Sequence, residues 1–166
     1  IAAVLPVAAQ VVNVACIGDS ITEGAGVDNP AVNAYPIVLG RLLGTNYQVR
    51  NFGVSGRTLL RKGDFPYWNE LAFRNATNSA PSIVTIKLGT NDSKPQNWRY
   101  KDQFGRDLAD MIDIFANLST RPRVFVCLPV PAYGVNFVIN PDIIKYEIIP
   151  IIKQVGKLKG ATIVDL

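Results

Sequence analysis

The stretch that decides the fold is Val11-Val12-Asn13-Val14-Ala15-Cys16-Ile17-Gly18-Asp19-Ser20, a short apolar run that stops at a glycine. This pattern predicts a buried strand over residues 11–17, followed at once by a turn into a helix. A serine at such a turn suits a nucleophile, because its Oγ projects above the sheet and the helix N-terminus favours developing negative charge. The alternative is an ordinary helix cap flanked by turn glycines.

The rest of the chain repeats an alternation of apolar strands and amphipathic helices. Strands that are apolar throughout and separated by helices predict a parallel sheet with helices on both faces, in three α/β/α layers. The predicted strands after the first are 47–52, 83–88, 123–128 and 161–165, and the predicted helices are 35–43, 100–118 and 141–158, the last kinked at Pro150.

The composition fits one α/β domain of 166 residues, 48% of them hydrophobic and 18% charged. The net charge of +4 is small and scattered, so no nucleic-acid partner is expected.

Residues 1–10 are apolar but too short to span a membrane, and no membrane partner is expected. They are interpreted as a signal-peptide remnant or an N-terminal extension, which favours a secreted or periplasmic location. Residues 11–166 form the predicted domain.

Histidine is absent from the sequence, and the two cysteines, Cys16 and Cys127, lack metal-ligand spacing. The commonest metal ligand and the commonest general base are therefore both missing from these residues. Neither a phosphate-binding loop nor a complete dinucleotide fingerprint follows the first strand. We expect no metal and no cofactor.

Two further turns follow the second and third strands. Asn51-Phe52-Gly53-Val54-Ser55-Gly56-Arg57-Thr58 holds a glycine that could bring a backbone N–H close to an oxyanion, or simply make a tight turn. Gly89-Thr90-Asn91-Asp92 offers an amide donor, or an Asx-turn. The carboxyl ends of parallel strands share one edge of the sheet, so the three turns should meet there.

In this order, Gly-Asp-Ser, Asn-x-Gly-x-Ser-Gly-x-Thr and Gly-Thr-Asn-Asp resemble the first three sequence blocks of the SGNH (GDSL-type) hydrolase family. The resemblance covers nearly the whole chain. Further segments look like the bacterial carbohydrate esterases, both sialate O-acetylesterase-like and acetylxylan esterase-like members: Asn51-Phe52-Gly53, Leu59-Leu60-Arg61-Lys62-Gly63 and Asn97-Trp98.

The resemblance implies a serine ester hydrolase that cleaves a small-molecule or glycan ester. Ser20 would be the nucleophile, and its backbone N–H would be one oxyanion donor. Gly56 would supply a second backbone N–H, and Asn91 a side-chain amide. Each such donor is worth roughly 3 kcal/mol of transition-state stabilisation.

The fourth block of the family, Asp-x-x-His, is not found in these residues. The resemblance implies that it would supply the general base and the residue that orients it. We therefore expect the domain to be truncated at its C-terminal end, without its final helix. An inactive relative that keeps the pocket is the alternative.

Basic and aromatic residues after the second and third motifs are candidates for substrate binding. Arg57 lies in a basic cluster that could attract an acidic sugar, or could be a solvated loop. Tyr67, Trp68 and Trp98 could line a sugar subsite or pack beneath long loops.

Three functions stay open on the sequence. The first is an esterase that removes O-acetyl groups from carbohydrates through an acyl-enzyme on Ser20. A lipase-like or thioesterase-like hydrolase is the second, and a wide apolar groove would favour it. The third is a non-catalytic glycan-binding module on the same fold.

The flavodoxin-like strand order of the family, 2-1-3-4-5, carries two structural expectations. It places the third strand between Cys16 and Cys127, too far apart for a disulfide, so both should be free thiols. A domain without its final helix should also leave apolar side chains on one face of the sheet. A second chain that supplies the helix, a dimer, or residues 1–10 folded back over the sheet could cover such a face.

Overall fold

A computed structural model describes residues 11–133 and 136–166. Its five parallel strands form one sheet in the order β2-β1-β3-β4-β5, so the predicted α/β fold and strand order are confirmed. The interpretation of residues 1–10 as a signal remnant lies outside the described residues. The strands are β1 (Val12–Gly18), β2 (Tyr47–Gly53), β3 (Ile83–Lys87), β4 (Arg123–Cys127) and β5 (Thr162–Val164).

Helices lie between the strands. They are α1 (Ser20–Glu23), α2 (Pro30–Asn33), α3 (Tyr35–Leu43), α4 (Leu71–Asn78), α5 (Pro95–Trp98), α6 (Phe104–Ala116), α7 (Pro141–Ile143) and α8 (Ile149–Leu158), with 3-10 turns at Tyr67–Asn69, Asn91–Ser93, Lys101–Gln103 and Asn136–Val138. Within the described residues, no helix is both long and apolar enough to cross a membrane.

A π-helical segment, Ile144–Ile148, joins α7 to α8. Pro150 is the second residue of α8, and a proline has no N–H to donate to the preceding turn. The wider π turn accommodates this missing hydrogen bond. The helix predicted over 141–158 is therefore interrupted just before Pro150.

One face of the sheet carries the main hydrophobic core. Side chains of α6 and α8 pack on this face over alternate residues of the strands. The buried strand residues on this face are Ala15, Ile17, Val84, Ile86, Val124 and Val126.

The opposite face holds an apolar groove of about 580 Å³. Helix α3 forms one wall through Tyr35, Leu39 and Leu43. The sheet contributes the floor, with Val14, Thr85, Lys87, Phe125, Cys127 and Val164 among its lining residues. That a second chain or a dimer covers this face stays a prediction.

The two cysteines are free and buried, as the strand order requires. Cys16 lies on β1 and Cys127 on β4, and β3 runs between them. Burial raises the pKa of both thiols, that of Cys127 to about 11, so neither is a reactive thiolate near neutral pH.

Candidate active site

The register of the sheet brings three loops to one edge. Gly18, the last residue of β1, pairs with Gly53 at the end of β2 and with Lys87 at the end of β3. The chain segments that leave these strands therefore start side by side. A cleft of about 540 Å³ lies at this edge, and Ser20, Gly56 and Asn91 all line it.

Ser20 is held at the first position of α1. Asp19 caps the helix, with its Oδ1 3.0 Å from the backbone nitrogen of Ile21. Gly24 ends the helix with φ of 98° and donates its N–H to the carbonyl oxygen of Ser20 at 2.9 Å. One helical turn between two caps thus fixes the half-buried Ser20 above the end of β1.

Asp19 is fully buried beneath Ser20. Burial raises the pKa of this carboxyl group, and the nearby Lys87 opposes the rise. Lys87 is buried as well, and burial lowers the pKa of its amine. Asp19 Oδ2 and Lys87 Nζ have no hydrogen-bond partner among the described residues. The positive charge of Lys87 favours the ionised form of Asp19.

Gly53 allows α1 to approach the end of β2. A Cβ atom at this position would lie 2.2 Å from the backbone nitrogen of Glu23 and 2.6 Å from the carbonyl carbon of Thr22. These are backbone atoms, which cannot move aside cheaply. The glycine in the Asn-Phe-Gly motif is therefore required for the position of Ser20 relative to the second loop.

The loop after β2 is tied to α1. The Glu23 carboxylate accepts hydrogen bonds from the backbone N–H of Ser55, at 3.0 Å, and from its hydroxyl group. Val54 donates to the carbonyl oxygen of Gly18 at 3.0 Å. Gly56 follows with φ of 79°, a conformation that favours glycine, and turns its own N–H out of the strand ladder.

The third loop is tied to the second by side chains. Asn91 Nδ2 donates to the carbonyl oxygen of Arg57 at 3.1 Å. The fully buried carboxylate of Asp92 accepts hydrogen bonds from Leu59 N, at 3.0 Å, and Leu60 N, at 2.7 Å. Burial raises the pKa of Asp92 to about 7, against the effect of these two donors. We call the contacts that Asn91 and Asp92 make to the second loop the loop latch.

Asn97 supports the loop latch from behind. Its Nδ2 lies 2.9 Å from the carbonyl oxygen of Asn91 and 3.0 Å from Asp64 Oδ1, and its Oδ1 accepts from the backbone nitrogen of Asp64 at 2.8 Å. The side chain is fully buried. Asn97 therefore fixes the backbone that carries Asn91.

The four residues considered for substrate binding do not line the cleft. Arg57 forms an ion pair with Glu70, with 2.8 Å between Nε and Oε1. Tyr67 is fully buried, and its hydroxyl donates to the carbonyl oxygen of Phe52.

The two tryptophans also use their polar edges inside the protein. Trp68 Nε1 donates to the carbonyl oxygen of Leu59 at 2.6 Å, and Trp98 Nε1 donates to Glu147 Oε2 at 3.0 Å. Trp98 is only 5% exposed. Both rings therefore pack beneath the loops and do not line a sugar subsite in the cleft.

The cleft is also lined by residues that the sequence analysis does not propose as site residues. They are Ala25, Gly26, Ser55, Thr90, Lys94, Phe137 and Ile139. Lys94 could have been noticed, because it follows the Gly-Thr-Asn-Asp motif by only two residues. Phe137 and Ile139 come from the segment after β4, whose path no local pattern indicates.

The donors around the cleft suit a developing negative charge. Among the described residues, the backbone N–H groups of Ser20 and Gly56 donate no hydrogen bond to another protein group. Asn91 uses one amide hydrogen on Arg57 and keeps the second. Three donors therefore line the same cleft as the Ser20 hydroxyl, and donors of this kind can stabilise a tetrahedral oxyanion.

No residue of the sequence is a histidine, so a general base of that type is absent from residues 1–166. Over residues 11–133 and 136–166, no group of three His, Cys, Asp or Glu side chains could hold a metal ion.

Comparisons with known proteins bear on the family and the fold. An acetylxylan esterase from Xylanibacter ruminicola is 45% identical over 172 residues, which cover 93% of this chain but only 36% of that relative. A carbohydrate acetylesterase from Sinorhizobium meliloti superimposes with a TM-score of 0.72 at 18% identity, over 93% of this chain and 83% of the other. The native aryl esterase of M. smegmatis gives 0.64 at 21% identity, with the same coverage.

These two solved structures support the fold. The family itself follows from the sequence, because residues 16–166 match the model of the GDSL-like lipase/acylhydrolase family. The match includes the Gly-Asp-Ser, Asn-x-Gly and Gly-Thr-Asn-Asp motifs around the cleft, and it confirms the resemblance seen in the sequence. The chain belongs to the GDSL-like lipase/acylhydrolase family.

Proposed function

We propose that this protein hydrolyses carboxylic esters through an acyl-enzyme on Ser20. The observation that carries the proposal is the set of free donors at the cleft: the N–H groups of Ser20 and Gly56 and the second amide hydrogen of Asn91. A binding module without chemistry has no need of three such donors beside a serine hydroxyl.

In the proposed reaction, Ser20 Oγ attacks the ester carbonyl carbon and passes its proton to a general base. The carbonyl oxygen becomes the oxyanion and is held by the three donors. Collapse of this intermediate breaks the ester bond, and the alcohol leaves with the proton returned by the base. A water molecule then attacks the acyl-serine by the same steps and releases the acid.

The general base is proposed to lie outside residues 1–166. The buried carboxyl group of Asp19 is engaged as a helix cap, and that of Asp92 is engaged in the loop latch. The chain spans 36% of the length of the acetylxylan esterase that it matches, so a histidine with its orienting aspartate could be supplied by further sequence.

The proposed substrate is an O-acetylated carbohydrate. The acetylxylan esterase relative supports this choice. The cleft supports it too, because Ala25 and Gly26 form a small-residue wall beside Ser20. The wide apolar groove that would favour a long-chain acyl substrate lies on the sheet face, and Ser20 does not line it. A secreted or periplasmic location would suit a glycan substrate and remains part of the proposal.

The test measures hydrolysis of p-nitrophenyl acetate and of acetylated xylo-oligosaccharide. Residues 1–166 should be nearly inactive, because no histidine base is present, and a longer form that supplies the proposed histidine should be faster by several orders of magnitude. Ser20→Ala should abolish the gain. Ser82→Ala, which changes an exposed serine far from the cleft, should keep it. A gain that survives Ser20→Ala would overturn the mechanism.

A further inference from the structure

Lys94 is the charged residue of the cleft. The other described residues that line the cleft are small, polar or apolar. A cation in a cleft that has no other charged residue among its described lining residues should attract negatively charged substrates to the nucleophile.

The backbone of Lys94 is firmly placed with respect to Asn91. Its N–H donates to the carbonyl oxygen of Asn91 at 3.3 Å, which closes the 3-10 turn. Its own carbonyl oxygen accepts from Asn97 N and Trp98 N, both at 2.9 Å, as α5 begins. The half-buried side chain therefore starts from a fixed point only three residues beyond the oxyanion donor.

Two arginines near this edge already form ion pairs with carboxylates. Arg57 pairs with Glu70. Arg61 contacts Asp110 and lies over the ring of Trp68, 3.8 Å from its centroid. These contacts neutralise two of the basic residues that the sequence suggested as attractors of acidic sugars. The third, Lys62, is exposed and does not line the cleft.

Lys94, in contrast, forms no ion pair with any described residue. Residues 1–10, 134 and 135 contain no aspartate or glutamate, so none of them could neutralise it either. The carboxylate of Glu23, which lies near the cleft, is engaged by Ser55. The positive charge at Lys94 is thus available to a ligand.

We propose that Lys94 is the counter-ion for a carboxylate group on the substrate, and that the preferred substrate is an acetylated oligosaccharide carrying a uronic acid next to the ester. This inference rests on the proposed function, since it names the class of glycan that the same cleft would select. Lys94 acts here on substrate choice and takes no part in bond breaking. A charged hydrogen bond of this kind favours the acidic ligand by about tenfold.

The test compares two acetylated xylo-oligosaccharides that differ only in a glucuronic acid substituent. The ratio of kcat/KM for the acidic to the neutral ester should fall about tenfold in Lys94→Gln and should be largely retained in Lys94→Arg. Lys62→Gln removes an exposed cation outside the cleft and should leave the ratio as it is. The ratio should also decline as salt is added.

A binding measurement separates this inference from the proposed function. Calorimetric titration of the Ser20→Ala protein with the same two oligosaccharides requires no turnover. Tighter binding of the acidic ligand, lost in the Ser20→Ala, Lys94→Gln double variant, would support the Lys94 subsite even if no ester were hydrolysed. Equal affinities for the two ligands, or equal losses for both on Lys94→Gln, would overturn it.

Discussion

The side-chain amide of Asn91 donates a hydrogen bond to the carbonyl oxygen of Arg57, with 3.1 Å between the two atoms. This contact uses one of the two amide hydrogens and sets the plane of the amide group. The remaining amide hydrogen can point to the cleft without any further rotation of the Asn91 side chain. Arg57 thus acts through its backbone, while its guanidinium is engaged with Glu70.

Removing the Asn91 donor should slow the chemical step. In the active, extended protein, Asn91→Ala should lower kcat about 10²–10³-fold with a smaller change in KM, because the oxyanion forms only after binding. Asn91→Asp should be at least as slow, since it places a carboxylate near the developing charge. Asn75→Ala on the exposed side of α4 is the control and should retain full activity. An unchanged kcat in Asn91→Ala would contradict the assignment.

Asp92→Asn should destabilise the fold. Even when it is protonated, the carboxyl group has lone pairs on both oxygens and can accept both hydrogen bonds, whereas an amide accepts only with its oxygen. The NH₂ of the substituted side chain would therefore face the N–H of Leu59 or Leu60 and leave that buried donor unpaired. The expected loss is about 1–3 kcal/mol in the free energy of unfolding, measured by urea denaturation near pH 6. Asp102→Asn changes an exposed aspartate and should cost nothing measurable. The same free energy in both variants would show that the loop latch is unimportant.

The Asp92 carboxyl group should also make stability depend on pH. Its pKa of about 7 in the folded protein lies above the ordinary value of 3.8, so ionisation is harder in the folded state. The stability contributed by Asp92 is therefore fully present below about pH 4 and is lost as the pH rises through 7. The difference in unfolding free energy between wild type and Asp92→Asn should decrease over that window. A difference that stays constant with pH would argue against a buried, protonated carboxyl group.

Gly53→Ala should disturb both stability and Ser20. The new Cβ would lie 2.2 Å from Glu23 N, so α1 or β2 must shift. We expect a loss of about 1–3 kcal/mol or more and a fall in kcat, because Ser20 begins the displaced helix. Gly105→Ala is the matched control. Its nearest contact is 3.4 Å from a side-chain methyl of Ile151, and an alanine within α6 should gain up to about 1 kcal/mol. Thermal unfolding and ester hydrolysis measure both effects.

The strands and the shared edge could be predicted because they follow from local chemistry. A buried parallel strand is a run of apolar residues, and β1, β3 and β4 show one. The edge strand β2 alternates apolar and polar residues instead. The sequence does not predict helix α4, because Leu71–Asn78 is short and half polar, although its Ala72, Phe73 and Ala76 pack on the core. Element boundaries differ by one to four residues where caps and 3-10 turns decide the end; the helix predicted from residue 100 begins at Phe104, after a 3-10 turn.

The contacts around the cleft were harder to foresee. Sequence alone does not show whether an aromatic ring near a motif is exposed or buried, and Tyr67 and Trp98 are buried because backbone and carboxylate acceptors lie beneath them. The loop latch joins Asp92 to residues more than thirty positions away. Only the assembled sheet brings these groups within hydrogen-bond distance.

The register of β1 has a consequence for how the protein folds. Val12 pairs with Tyr47 and Val14 with Ile83, separations of 35 and 69 residues along the chain. Such long loops close slowly, and none of the three donors can meet another before they close. During refolding, the protein should therefore begin to bind a tetrahedral analogue only late, in a single step. The rate at which a boronate probe is captured at Ser20 would therefore report when β2, β1 and β3 have paired.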